Sequence, residues 1–305
     1  MILVTGSSGL VGRALVRQLM AQGLAVRSLV HEAPLPRLSR LPGPGPELAH
    51  GDVRDPLSLR AACRGAQAVI HLVAVIRERS GADYRTINVE GTRNLLEAAE
   101  AEGVKHFALV SALGATPNPR FAYASSKWQA EELVRTSRLQ WTIFRPSVLF
   151  GDGFGFFDRM LQSLRMAPPG IALVPGKGET RFQPLAAADL ARCIRLSLAD
   201  PATAGETLEL GGPQHLTYAE MLRLLLKVTG QKRLLIPIPL PLVRLVAALS
   251  GRFTRNPVVT REELEMLVLP NVTDVDVIPR RFGFTPQTLE AGLRALYGKE
   301  RGREA

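Results

Sequence analysis

Tyr123-Ala124-Ser125-Ser126-Lys127 sets a phenol and an ammonium four residues apart, a spacing that brings both to one face of a helix. A neighbouring cation stabilises phenolate, so the pair predicts a tyrosine shifted toward working pH and usable as a general acid/base for hydride transfer to a carbonyl. The spacing alone is common on surface helices and gains meaning only beside a second pattern. Gly6-Ser7-Ser8-Gly9-Leu10-Val11-Gly12 follows a short apolar run and opens a helical period. In that context Gly6 permits a sharp turn, Gly9 lets backbone N–H groups approach a pyrophosphate, and Gly12 lets helix and strand pack closely, while the helix N-terminus adds positive potential. Lys127 then has a further use, to hold a nicotinamide ribose.

Which dinucleotide fits depends on the end of the second strand, where an acid would bind the ribose 2′-hydroxyl. That position falls at Val30, followed by His31 and only then Glu32. With no acid in place and His31, Arg37 and Arg40 close by, a 2′-phosphate is tolerated, so NADP(H) is favoured over NAD(H); Glu32 keeps NAD(H) open if the turn shifts by one residue. Asp52, with Val53, is placed after the third strand to meet the adenine, or else is a turn-forming aspartate.

Apolar runs at 2–4, 25–30, 47–53, 68–73, 107–111 and 141–145 alternate with helical periods at 10–19, 57–64, 88–103 and 123–137. Near-continuous apolar strands separated by helices predict an α/β fold with a doubly wound parallel sheet covered on both faces. After Pro146 closely spaced Gly and Pro residues mark departure from the sheet. Asp189 reads as the N-cap of a helix to Leu198, and residues 207–210 as a strand rejoining the sheet edge. From Thr217 the chain reads as mainly helical, with Thr285 as N-cap and Pro286 at the first position of a last helix to Tyr297. The domains expected are a Rossmann domain of 1–150 and 186–212, a smaller, mainly helical substrate or cap domain of 151–185 and 213–297, and a disordered tail of 298–305. Residues 234–249 are the most apolar stretch, interrupted by Pro237, Pro239, Pro241 and Arg244 and too short to span a membrane. They read as a core or lid helix behind a proline-rich entry, or as an apolar substrate wall or membrane-surface contact.

The 305 residues include 38 Lys+Arg against 28 Asp+Glu, a formal net charge of +10. Six of the basic residues are lysines and the arginines are scattered singly, without the runs or basic helix face interleaved with aromatics that nucleic-acid binders show. The charge suits anionic cofactors, acidic partners or lipid headgroups. Two cysteines, Cys63 and Cys193, lack C-x-x-C partners, so neither a metal site nor a disulfide framework is expected. Met1 leads straight into the first apolar run without a leader pattern, and a reduced, cytoplasmic setting is expected.

Thr5 to Gly12, Gly51-Asp52-Val53, His71-Leu72-Val73-Ala74, Asn88-Val89-Glu90-Gly91-Thr92, Tyr123 to Lys127 and Arg145 to Gly151 together resemble the extended short-chain dehydrogenase/reductase family, the NAD(P)-dependent epimerase/dehydratase type. Ser111 to Ala115, Arg145 to Val148, Arg181 to Pro184 and Asn271-Val272 resemble more narrowly the branch of the nucleotide-binding accessory subunit of respiratory complex I and its bacterial relatives. The resemblance implies Tyr123 as proton donor or acceptor, Lys127 on the ribose, Pro146 and Val148 lining the nicotinamide site, and Thr5, Leu72, Val73 and Ala74 touching the cofactor with Ser8, Leu10 and Val11 in the phosphate loop. Asn88 would anchor the active-site helix. The chain departs from the family at one point: members with carbonyl chemistry usually carry a Ser or Thr one or two residues beyond the fifth strand, whereas here Ser111 is followed by Ala112 and Leu113 in those places, so Ser111 is either a catalytic group or a strand-end serine bonded to backbone and set too deep. Arg181 is the candidate substrate contact, and a nucleotide-sugar epimerase is disfavoured. Two functions stay open: an oxidoreductase acting on an apolar carbonyl, alcohol or quinone-like substrate, and a non-catalytic nucleotide-binding protein that assembles with or senses redox state for a partner complex, peripheral to the inner face of a membrane. Relatives of this kind also form homodimers through helices flanking the middle of the sheet.

Overall fold

The computed structural model describes residues 1–31, 45–78, 81–153, 155–243, 264, 266, 267, 269 and 271–298. They divide into two compact units, Met1–Pro146 with Ala187–Leu210, and Ser147–Ala186 with the chain from Gly211 onward.

The first unit begins with β1 (Ile2–Thr5) and α1 (Leu10–Ala21), whose buried residues Val11, Leu15, Val16 and Leu19 recur at helical spacing. β2 (Val26–Val30) and β3 (Glu47–His50) follow. In α2 (Pro56–Cys63) the Asp55 carboxylate accepts from the Leu57 amide and proline takes the first helical position. β4 (Ala68–His71) is buried along its whole length. A π-helix, Tyr84–Glu90, runs into α3 (Gly91–Ala101), and β5 (His106–Val110), α4 (Ala122–Arg135) and β6 (Gln140–Pro146) complete the run. The chain returns to this unit with a helix, Ala187–Ser197, and an edge strand, Glu206–Leu210.

All seven strands are parallel, in the order return strand, β6, β5, β4, β1, β2, β3. This is the doubly wound Rossmann arrangement. The chain winds outward from β1 toward β3, then crosses back to start β4 on β1's other side, so the connections diverge above β1 and β4 and leave a crevice at their C-terminal ends. One face of the sheet buries Leu3, Val69, Phe107 and Ile143 under α2 and α3 residues such as Leu59 and Leu95.

The second unit carries helices Phe156–Met166, Tyr218–Thr229, Val277–Phe282 and Leu289–Tyr297 and three two-stranded pairings. One of these corrects the sequence reading. Residues 234–238, the proline-rich entry of the apolar stretch in a part of the chain expected to be mainly helical, form a strand parallel to Ile171–Pro175, where Pro237 is tolerated as it would not be in a helix interior. Residues 244–249 of that stretch, and the tail from 299, lie outside the described residues. Two caps also shift. The return helix starts at Ala187, leaving Asp189 in its first turn, where its charge still favours the helix dipole. The last helix is capped by Thr288, which accepts from the Ala291 amide, and not by Thr285. Both cysteines are buried as free thiols. Among the described residues no helix is long and apolar enough to cross a membrane.

Phe107 is fully buried at the centre of β5. Phe107→Ala is expected to lower unfolding stability by about 3–5 kcal/mol, read as a reduced midpoint in urea denaturation.

Candidate functional site

The phosphate loop is shaped by close approach. Gly6 takes φ +68°, a value that disfavours any side chain, and a Cβ on Gly12 would lie 2.2 Å from the Gly6 carbonyl oxygen. A Cβ on Gly6 would press on the Leu72–Val73 backbone, so the loop runs directly beside the chain leaving β4. No side chain caps α1 at Gly9, and no acid stands in its first turn, which leaves the amides of the first turn available to an anion. These features fit a dinucleotide pyrophosphate over Ser8, Gly9, Leu10 and Val11.

At the end of β4 lies a buried chain of hydrogen bonds. Thr92 Oγ1 spends its hydrogen on the Asn88 carbonyl (2.7 Å), so it accepts from His71 Nε2 (3.1 Å), leaving Nδ1 to accept from Thr5 Oγ1 (2.7 Å). One neutral tautomer satisfies every member. Desolvation, helped by the charge of Lys127, pushes the His71 pKa down to about 3. Asn88, on the π-helix, accepts from the Val75 amide (2.8 Å) and donates to the Val75 carbonyl (3.1 Å) and to Ser126 Oγ (2.9 Å). It thereby ties the segment after β4 to helix α4, whose Ser126 also bonds the Tyr123 carbonyl. Tyr84, from the same π-helix, donates to the Ile76 carbonyl and stacks at 6.0 Å on Tyr123.

Lys127 is buried, and its Nζ donates to the Val110 carbonyl at the end of β5 (2.8 Å). Burial lowers its pKa to about 8, with Glu131 pulling the other way. Burial likewise pushes Tyr123 up to about 12. The phenol is therefore not lowered as the spacing predicts: the two side chains share α4 but the ammonium is drawn to the sheet while the ring packs on Tyr84. Ser111, just past β5, is buried, and its backbone amide bonds the Phe144 carbonyl. Its hydroxyl favours the charged form of Glu131 without reaching full hydrogen-bond geometry. Leu113, in the place where the family has a hydroxyl, is buried, its amide on the Pro146 carbonyl. Pro146 ends β6; Val148 and Arg181 belong to the second unit, where the Val148 carbonyl accepts from Leu185 and Arg181 is exposed on a two-residue strand.

At the adenine end, β3 stops at His50 and releases Asp52 and Val53 into a loop. Val53 is buried, its carbonyl held by Asn94 (3.0 Å). Hydrogen bonds from Arg54, foremost through its side chain (Nε 2.9 Å), hold the Asp52 carboxyl down at about 2 against its desolvation. His31, the first residue after β2, sets its Nε2 2.5 Å from the same carboxylate and 3.2 Å from Arg54 Nη2. Glu32, Arg37 and Arg40 lie outside the described residues. Arg54, Tyr84 and Glu131 were not singled out in the sequence, and His71 and Thr92 only as members of the motifs that carry the family resemblance, without a role; of these, Glu131, four residues past Lys127, had a readable spacing.

Residues 6–155 match a family model described as NAD(P)H-binding. The mitochondrial 40 kDa subunit of NADH-ubiquinone oxidoreductase from Neurospora crassa is 25% identical over 264 residues, covering 86% of this chain and 69% of that one. The ceramide reductase of Caulobacter vibrioides is 34% identical over 152 residues, 50% of this chain and 47% of the reductase, so the chain spans less than half of that relative. Among solved structures, a short-chain dehydrogenase/reductase superfamily protein from Agrobacterium tumefaciens with bound NAD is 25% identical, with a TM-score of 0.72 over 99% of this chain and 97% of that one.

The His71 network sets a pH dependence. Its folded pKa of about 3 lies below the ordinary 6.5, so the unfolded chain takes up the proton first and stability falls as pH drops below 6.5, by up to about 1.4 kcal/mol per pH unit from this group. Urea titrations above and below pH 6.5 should show that slope in the wild type and a shallower one in His71→Gln, which has no titrating ring.

Proposed function

For a chain whose residues 6–155 form an NAD(P)H-binding domain and whose fold is that of the extended short-chain dehydrogenases/reductases, we propose an NADP(H)-dependent oxidoreductase that reduces or oxidises an apolar carbonyl, alcohol or quinone-like substrate. The observation that carries this reading is the construction around α4. Asn88 and Ser126 fix the helix, Tyr84 orients the Tyr123 ring, and a buried Lys127 stands one turn behind it. When bound, the nicotinamide supplies or takes the hydride. Tyr123 holds its proton firmly at about 12, which suits a donor to a reduced carbonyl oxygen. Lys127, at about 8, carries its charge at neutral pH and can leave the Val110 carbonyl for a ribose hydroxyl, a move that would also bring the cation nearer the phenol. Ser111, turned toward Glu131, is a weaker candidate for polarising the substrate, and Arg181 remains the substrate contact proposed from the second unit.

The preference for the phosphorylated cofactor rests on His31, at the end of β2 where a ribose 2′-substituent sits, and on Arg54, which reaches it from the loop after β3. Asp52 already occupies Arg54, so a 2′-phosphate would compete with a carboxylate for the guanidinium.

A second reading is favoured by the buried Leu113 and by relatives named as respiratory-complex subunits and as photosystem II assembly factors. In it the nucleotide is structural or a redox signal, and the basic chain docks peripherally on a protein complex or an anionic membrane face.

Offered ketones, aldehydes and quinones with NADPH, Tyr123→Phe should bind nucleotide as the wild type does and lose turnover by about 100-fold or more; tight nucleotide without turnover in either protein would favour the second reading. Arg54→Ala should weaken NADPH about 10- to 100-fold and NADH little, by fluorescence titration, and a wild type that prefers NADH would overturn the cofactor assignment.

A further inference from the structure

Helix α4 presents a third ionisable group in line with Tyr123 and Lys127. Glu131 follows Lys127 by four residues, so the two lie one above the other on the helix face turned to the sheet. Its side chain is 0% exposed, and among the described residues it is the only acid buried to this degree. Arg145 of β6 grips the carboxylate with two parallel bonds, Nε at 2.9 Å and Nη2 at 2.7 Å, and Arg135, a turn further along α4, adds a third at 2.8 Å. Arg145 reaches on to Glu209 of the return strand (3.3 Å) and Arg135 to Glu132, both at the surface.

We propose that Glu131 is a positioning residue of the Tyr123–Lys127 site: a buried counter-charge, locked by Arg145, that keeps Lys127 an ammonium while it points at the end of β5. The proposal rests on the oxidoreductase reading only in giving Lys127 a task.

The groups facing Lys127 make the case. From β4 comes His71, neutral and closed in its own network, and from β5 a carbonyl, Val110. Neither carries negative charge. A cation out of water without a counter-charge gives up its proton, and burial already draws Lys127 down to about 8. Glu131 is the internal anion opposing that loss, and two arginines hold it ionised in turn. Removing its charge leaves Arg145, Arg135 and Lys127 as three cations on one side of α4 with only surface acids to answer them.

The test reads the lysine directly. The chain has six lysines, so carbon-13 labelling at Cε gives a resolvable NMR spectrum in which Lys127→Met identifies the signal. Across the neutral to alkaline range, Glu131→Gln should move the Lys127 midpoint to lower pH by about one unit or more, and Glu131→Asp, which withdraws the charge by one methylene, by a smaller step in the same direction. Glu132→Gln, which touches only Arg135, should leave it in place. The alkaline limit of turnover, or of NADPH affinity, should shift with the NMR midpoint. An unmoved Lys127 midpoint in a folded Glu131→Gln protein would reduce Glu131 to a structural ion pair and overturn the proposal; if that variant does not fold, an unmoved midpoint in Glu131→Asp does so. The titration needs neither nucleotide nor substrate, so failure of the oxidoreductase reading and failure of this one are seen separately.

Discussion

Helix α4 has to bury a hydroxyl, an ammonium and a carboxylate, Ser126, Lys127 and Glu131, against a sheet made almost entirely of apolar side chains. Each of these groups costs several kcal/mol if left unpaired, so each must find a partner on another element, and the partners fix where the helix sits. Ser126 takes Asn88, Lys127 takes the end of β5, Glu131 takes Arg145 on β6. Three bonds to three different elements determine the depth, the rotation and the tilt of the helix that carries Tyr123.

The same demand explains why the crevice above β1 and β4 is rigid although its walls are loops. Val75 is gripped at both its amide and its carbonyl by one asparagine, and Val53 by another at position 94. Backbone polar groups that a strand would have satisfied are satisfied by side chains from α3 and the turn before it, so the segments past β3 and β4 keep a defined path without being sheet. Arginine supplies the corresponding order in the loop after β3, where Arg54 reaches Asp52 and the Gly81 carbonyl.

What could be read from the sequence was whatever is local. A glycine needed for φ +68° or for a Cβ-free contact announces itself in a seven-residue motif, and a tyrosine and lysine one turn apart do the same. Seven strands and their parallel, doubly wound class followed from the apolar runs alternating with helices, because parallel strands buried on both faces leave an unbroken apolar signature; their order in the sheet did not. The His71 network joins residues 5, 71 and 92, and nothing in the neighbourhood of any one of them reveals the other two. Residues 234–238, read only as the proline-rich entry to a helix, were not legible as a strand for a different reason. A short apolar run is equally consistent with strand and helix, and the deciding fact, pairing with Ile171–Pro175, lies more than sixty residues away. Thr285-Pro286 carried a good local cap signal that lost to Thr288 because two threonines three residues apart offer two starting points, and tertiary packing chose the later one.

The wide turn of the π-helix has a consequence for how this sequence can change. A π turn takes one residue more than an α turn, so positions 84, 88 and 92 fall nearly in register along one face as the chain passes from Tyr84–Glu90 into α3. That face is where Tyr84 meets the Tyr123 ring, Asn88 holds Val75 and Ser126, and Thr92 closes on His71. Deleting one residue between Tyr84 and Asn88, or between Asn88 and Thr92, would let the segment relax to ordinary winding with its two ends near their present register, but would shorten one of the two four-residue spacings to three. The spacing of Tyr84, Asn88 and Thr92 is thus what the site constrains: a lineage can exchange side chains at Arg85 or Glu90, which pair with each other at the surface, while a deletion between the three positions displaces one of their contacts.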